Sequence, residues 1–99
     1  MVKIWVFGKK NCAACQTTKN KFNHFIEKYE LSNKAELSFF DMETIDGLSE
    51  GADNDVLKIP TTIFRDDENN VLARWDGEVP NRQDYEKYLK ESGVASRES

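Results

Sequence analysis

The two cysteines of this 99-residue chain stand together as Cys12-Ala13-Ala14-Cys15. Two thiols at this spacing can do what isolated cysteines cannot. One attacks a disulfide sulfur as a thiolate, and the other displaces whatever the first has captured, leaving an intramolecular bridge. Only the thiolate is nucleophilic, so the chemistry calls for a place that favours ionised sulfur. The first turn of an α-helix is such a place, because its N–H groups lack intrahelical partners and the helix dipole puts roughly half a positive charge there. On a helix that starts at this pair, Cys15 lies one turn inward on the same face as Cys12. Cys12, the more exposed, is then the expected attacking thiol and Cys15 the resolving one. Lys9 and Lys10, just upstream, could add positive field to the thiolate or be ordinary solvated loop lysines.

Three other readings compete. Paired cysteines can be plain buried residues, though both falling at a helix start argues against it. They can be half of a zinc site, but such a site takes four ligands. The single histidine, His24, stands well down the same helix, and no second C-x-x-C exists. They can also form a static structural disulfide, which a reducing cytoplasm disfavours.

The elements that must position the pair can be read from the flanking pattern. Val2 to Phe7 is a nearly continuous apolar run, suited to a strand covered on both faces. Gly8-Lys9-Lys10-Asn11 breaks it. From Ala13 the residues Cys15, Thr18, Phe22, Phe25, Ile26 and Tyr29 recur at helical spacing, predicting an amphipathic helix to about Leu31. Ala35 to Met42 reads as a second strand, completing a βαβ unit with parallel strands and a right-handed crossover. Between Asp41 and Ile59 the pattern weakens. Gly47, Gly51, Asp53 and Asn54 oppose a helix, Leu48, Val56 and Leu57 could give one a short apolar face, and the question of a helix over 44–58 stays open. Thr61 to Arg65 and Val71 to Trp75 read as a hairpin around Asp66–Asn70. Asn81, with Asp84 three residues on, predicts the N-cap of a last helix carrying Tyr85, Tyr88 and Leu89.

The bulk properties narrow the class. The chain suffices for one domain, expected over 1–91, with a small polar tail at 92–99 that frays. Net charge is −4, from 14 basic and 18 acidic residues, which argues against nucleic acid as the default partner, because phosphate binding needs a basic face. No apolar run approaches the ~18 residues that span a bilayer. Met1 to Gly8 stops at Lys9-Lys10 without a cleavage site and reads as a strand rather than a signal peptide. The expectation is a cytoplasmic monomer with no membrane or nucleic-acid partner.

Cys12-Ala13-Ala14-Cys15 after a strand, followed roughly 45 residues on by Ile59-Pro60-Thr61 before another strand, resembles the thioredoxin superfamily over nearly the whole chain. The resemblance implies an α/β fold, a thioredoxin-like three-layer α/β/α sandwich of minimal β-α-β-(α)-β-β-α order with a mixed four-stranded sheet. It implies a cis bond at Ile59–Pro60, with the proline against the cysteines and the Ile59 backbone pairing with extended substrate. Ile59, Pro60, Thr61 and Lys9 are thus the expected substrate-binding residues. A proline opening a strand would need no such role. The implied activity is thiol–disulfide oxidoreduction on disulfide-containing proteins, with electrons from a reductase or from glutathione, no metal, and no cofactor besides the redox-active Cys12–Cys15 disulfide. The branch stays open. The chain begins at the strand before Cys12, and Lys9 matches a lysine common in glutaredoxins, but the glutaredoxin Gly-Gly turn is Asp76-Gly77-Glu78 here. The thioredoxin W-C-G-P-C is absent, and its buried acid is Val6. Glutathione-linked reduction, or a non-catalytic redox-sensing and binding module on the same scaffold, remain the alternatives.

Overall fold

The apolar run at the N-terminus forms β1 (Val2–Gly8), and both of its edges are paired. The computed structural model describes residues 1–89. The expected tail at 92–99 and the expected domain end at 91 lie outside the described residues. After β1 come α1 (Ala13–Lys28), β2 (Ala35–Asp41), α2 (Ile45–Asp53), β3 (Thr61–Arg65), β4 (Val71–Asp76) and α3 (Arg82–Leu89). The sheet order is β2-β1-β3-β4. β1 runs parallel to β2, with Ile4 opposite Leu37, and antiparallel to β3, with Val6 opposite Thr62. Parallel neighbours cannot be joined by a tight turn, and α1 is the crossover.

Alternation along β1 sorts its side chains into two layers. Val2, Ile4 and Val6 face α1 and α3, where they pack with Phe22, Phe25, Ile26, Phe64, Tyr85 and Leu89. The buried residues of α1 are Cys15, Thr18, Phe22, Phe25 and Ile26, the stripe expected from the spacing. Trp5 and Phe7 face the other way and meet Phe40, with Phe7 and Phe40 stacked at 4.8 Å between centroids. The Arg65 guanidinium lies 5.1 Å over the Trp5 ring. α2 covers part of this second face, giving three layers, α/β/α.

The ends of the helices have local causes. α1 stops at Lys28, short of Leu31, because Glu30 takes a left-handed φ of 55°. The Leu31 N–H then donates to the Ile26 carbonyl at 2.8 Å and the Glu30 N–H to the Glu27 carbonyl at 3.1 Å, the Schellman pattern. α3 opens on a reciprocal cap: the Asp84 N–H donates to Asn81 Oδ1 at 2.8 Å and the Asn81 N–H to Asp84 Oδ2 at 3.2 Å. In the β3–β4 turn, Asp66 accepts from the Asn70 and Glu68 N–H groups, both at 2.9 Å. These bonds, led by the one from Asn70, hold its carboxyl below the ordinary carboxylate pKa.

The weak stretch after Asp41 does form a helix, but on a different face from the apolar one. The buried residues of α2 are Gly47 and Gly51. A Cβ at Gly47 would run into the Asp41 carbonyl, and one at Gly51 would lie 2.6 Å from Met42 Cε. The helix approaches β2 through glycines, so Ile45 and Leu48 stay outside, 86% and 54% exposed. At its C-terminal end, Arg74 donates to the carbonyls of Asn54 at 2.7 Å and Asp55 at 3.0 Å, where a cation is favoured by the helix dipole.

Gly47→Ala should lose about 1–3 kcal/mol by forcing α2 off β2, read by chemical denaturation. A second expectation concerns Tyr85, 1% exposed against Phe22 and Phe25. Burial pushes its phenol from 10.0 up to about 12. A raised phenol pKa means that the stability is complete below pH ~10 and lost as pH climbs through ~12. Thermal melts from pH 9 to 12 should show the native chain falling relative to Tyr85→Phe, with no divergence below pH 9.

Candidate active site

Cys12 is the N-cap of α1, with extended backbone at φ −97° and ψ 113°, and its Sγ accepts the Cys15 N–H at 3.1 Å. One of the unpaired first-turn amides therefore points at the sulfur. Cys12 and Cys15 are joined as a disulfide, with Cα atoms 5.2 Å apart. Cys12 is half-buried, while Cys15 is fully buried. Cys12 is thus the more exposed of the two. This is the asymmetry expected from the sequence.

The loop that carries Cys12 is tied to Lys9. The Lys9 carbonyl accepts the Cys12 N–H at 3.3 Å and Gln16 Nε2 at 3.3 Å. Lys10 is exposed. Behind Cys15 the strand end comes very close. A Cβ at Gly8 would lie 2.5 Å from Cys15 Sγ and 2.6 Å from its Cβ. Gly8 reads in sequence as a mere strand breaker; glycine within a strand, marking close backbone approach, was the available signal.

The Ile59–Pro60 peptide bond is cis. Phe7 faces Thr61 across the β1–β3 ladder, so Pro60, just before β3, lies at the end of the sheet where β1 ends in Gly8. Proline has no N–H to donate, and β3 begins after it. The Pro60 carbonyl accepts the Gly77 N–H at 2.8 Å, a contact the sequence did not suggest. Thr61 is fully buried, and its hydroxyl donates to the Lys58 carbonyl at 2.7 Å. Its side chain braces the turn before β3 and does not reach the surface. The topology therefore brings Cys12, Cys15, Lys9, Ile59 and Pro60 to one end of the sheet, at the C-terminal end of β1, with Thr61 buried at the start of β3.

Val6 and Cys15 are both fully buried, and the position that carries an acid in thioredoxins presents only an aliphatic side chain here. His24 is exposed on α1, with its ring against Phe25. Among the described residues, no group of three or more His, Cys, Asp or Glu is placed to hold a metal ion. No helix among them is long and apolar enough to cross a membrane.

No protein-family model and no curated protein sequence matches the chain. Solved structures do. Thioredoxin-2 of the malaria parasite, described as a component of its protein secretion machinery, is similar at a TM-score of 0.75 and 22% identity, over 92% of this chain and 82% of that one. Thioredoxin O2 of Arabidopsis thaliana in its oxidised state is similar at 0.75 and 13% identity, over 94% and 76%. Mitochondrial thioredoxin 3 of Saccharomyces cerevisiae, also oxidised, is similar at 0.69 and 16% identity, over 91% and 77%. The chain has the thioredoxin fold. At such identities the likeness concerns backbone arrangement, and activity has to be argued from the site. The thioredoxin-fold chain keeps the cysteine pair at the start of α1 and the cis proline before β3, with Ala13-Ala14 between the cysteines.

Gly8→Ala should be destabilised by about 1–3 kcal/mol through overpacking against Cys15, read by urea denaturation of the oxidised protein. A loss under about 0.5 kcal/mol would show that β1 and Cys15 are not held against each other.

Proposed function

We propose that this protein is a dithiol thiol–disulfide oxidoreductase that reduces disulfide-containing proteins. The observation that carries the reading is the state of Cys12: a half-buried residue at a helix N-terminus whose sulfur receives a backbone N–H and is bonded to a fully buried partner. The same amide that accompanies the disulfide would stabilise negative charge on Cys12 after reduction.

The reaction balances as follows. Cys12 thiolate attacks one sulfur of a substrate disulfide; a Cys12–substrate S–S bond forms, the substrate S–S bond breaks, and the departing thiolate takes a proton. Cys15, losing its proton, attacks Cys12 Sγ. The Cys12–Cys15 bond forms and the second substrate sulfur leaves as a thiol. Two electrons pass from the protein to the substrate, with one proton coming from the Cys15 thiol and the other from solvent. Restoring the dithiol takes a two-electron donor, a reductase or glutathione, and a reducing compartment such as the cytoplasm is the matching setting. The site's own contributions are electrostatic stabilisation of the attacking sulfur and alignment of the resolving one. Ile59 and Pro60, at the same end of the sheet, are proposed to hold extended substrate beside Cys12, with the Lys9 carbonyl fixing the loop that presents it. A roughly 30 mV change in potential corresponds to about 1.4 kcal/mol for a two-electron couple, so small changes around Cys12 alter its direction of use.

Cys12→Ser should abolish reduction of a protein disulfide. Cys15→Ser should trap a mixed disulfide through Cys12, visible as a mass adduct on non-reducing analysis. Wild-type turnover by Cys15→Ser with a protein substrate would rule out the dithiol mechanism, and survival with glutathione alone would indicate the monothiol route. An inert Cys12 with every donor would leave a binding or sensing module.

A further inference from the structure

A cavity of about 280 Å³ is lined by Lys9, three residues before Cys12, and by Ile59, which precedes Pro60, and by neither cysteine. Met42, Leu48, Leu57 and Ile59 supply apolar wall, and Lys9 and Lys58 supply two positive charges. It lies just under the roughly 300 Å³ at which small-molecule sites begin, room for one or two side chains rather than a cofactor.

Two independent observations say what would enter it. The first is apolar. Because α2 meets the sheet through Gly47 and Gly51, Leu48 is turned outward at 54% exposure, and Leu57 beyond the helix is 91% exposed. Large aliphatic side chains left in water beside a cavity retain the drive to be covered by another apolar group. The second is charge. The chain is acidic at −4, yet the residues around this cavity include two lysines and no carboxylate. Among the described residues, neither Lys9 nor Lys58 is in an ion pair. The stem of Lys58 also lies close over Gly77, within 2.9 Å of where a Cβ would stand.

The wall is continuous with the redox site. Lys9 carries the carbonyl that accepts the Cys12 N–H, and Ile59 is joined to Pro60. A chain whose cysteine is attacked by Cys12 while it lies along Ile59 would drop a neighbouring residue into this cavity. We propose that the cavity selects, among protein disulfides, segments carrying a large aliphatic residue and an acidic residue next to the attacked cysteine. The inference rests on the oxidoreductase reading above.

The test uses the pre-reduced full chain and two synthetic peptide disulfides. One carries Leu-Asp beside the cysteine and the other Gly-Lys. Second-order reduction rates are measured after acid quench, with a small aromatic disulfide as a probe lacking side chains. The native protein should reduce the Leu-Asp peptide at least about tenfold faster than the Gly-Lys peptide. That ratio should fall to within about threefold in Lys58→Glu and in a Leu48→Ser/Leu57→Ser variant, whose exposed positions tolerate substitution. Raising salt should lower the ratio in the native protein, as it screens the lysines. Equal rates for the two peptides, or a ratio unchanged in both variants, would overturn the proposal while leaving the oxidoreductase reading intact, provided the small disulfide is reduced. No reduction of any of the three would overturn both. Fluorescence binding of serine-for-cysteine versions of the peptides reads the cavity without the chemistry, and equal affinity for the two would sink the selectivity alone.

Discussion

The contact on which the rest depends is that of Cys15 with the backbone of Gly8. The sulfur and Cβ of Cys15 occupy the space where any side chain at Gly8 would have to be. This packs the first turn of α1 directly on the end of β1, buries Cys15 completely, and leaves Cys12 as the residue at the surface. The helix dipole acts only within its first turn, so a small displacement of α1 along β1 would separate the charge from the sulfur. The stripe from Thr18 to Ile26, buried against Val2, Ile4 and Val6, keeps the helix from sliding.

The proline loop is held by a second group of bonds, from different parts of the chain. The Pro60 carbonyl meets the Gly77 N–H, and Thr61 turns its hydroxyl to the Lys58 carbonyl. Both lie at the start of β3, whose pairing with β1 sets Pro60 at the end of the sheet where β1 leads to the cysteines. The site is thus assembled from segments far apart in sequence by the ordinary ladder hydrogen bonds of one sheet. Side-chain chemistry is concentrated in two sulfurs, and the groups around them are mainly backbone amides, carbonyls and aliphatic walls. That composition suits an exchange reaction in which the reacting atoms belong to the protein and its substrate.

The asymmetry of α2 has a physical origin in the same economy of space. A helix carrying bulky residues on its sheet side would stand away from β2. Gly47 and Gly51 let it lie close, at the cost of helix propensity, and Arg74 compensates at the other end by taking the free carbonyls of Asn54 and Asp55. The consequence is that Ile45 and Leu48 stand exposed on the outer side of α2.

Much of this was legible along the chain. The cysteine pair at a helix start, the buried stripe of α1, the β3–β4 hairpin and the Asn81 cap all rest on local rules: a period of 3.6 or 2, turn residues, and a cap that bonds within three residues. These are short-range, so the order of residue types determines them. Other features are set by what is distant in sequence, and only the tertiary structure decided them. Gly8 has a reason only when Cys15 is folded over it. Hydropathy offers Leu48, Val56 and Leu57 as a short apolar face and leaves the helix open, whereas the helix that forms is buried at Gly47 and Gly51. The full burial of Thr61, with its hydroxyl on the Lys58 carbonyl, is set by the packing around β3, and the company of Lys9 and Lys58 around one cavity depends on how α2 and the segment before Pro60 meet. Periodicity says which residues prefer to be covered; shape complementarity between elements says which of them are.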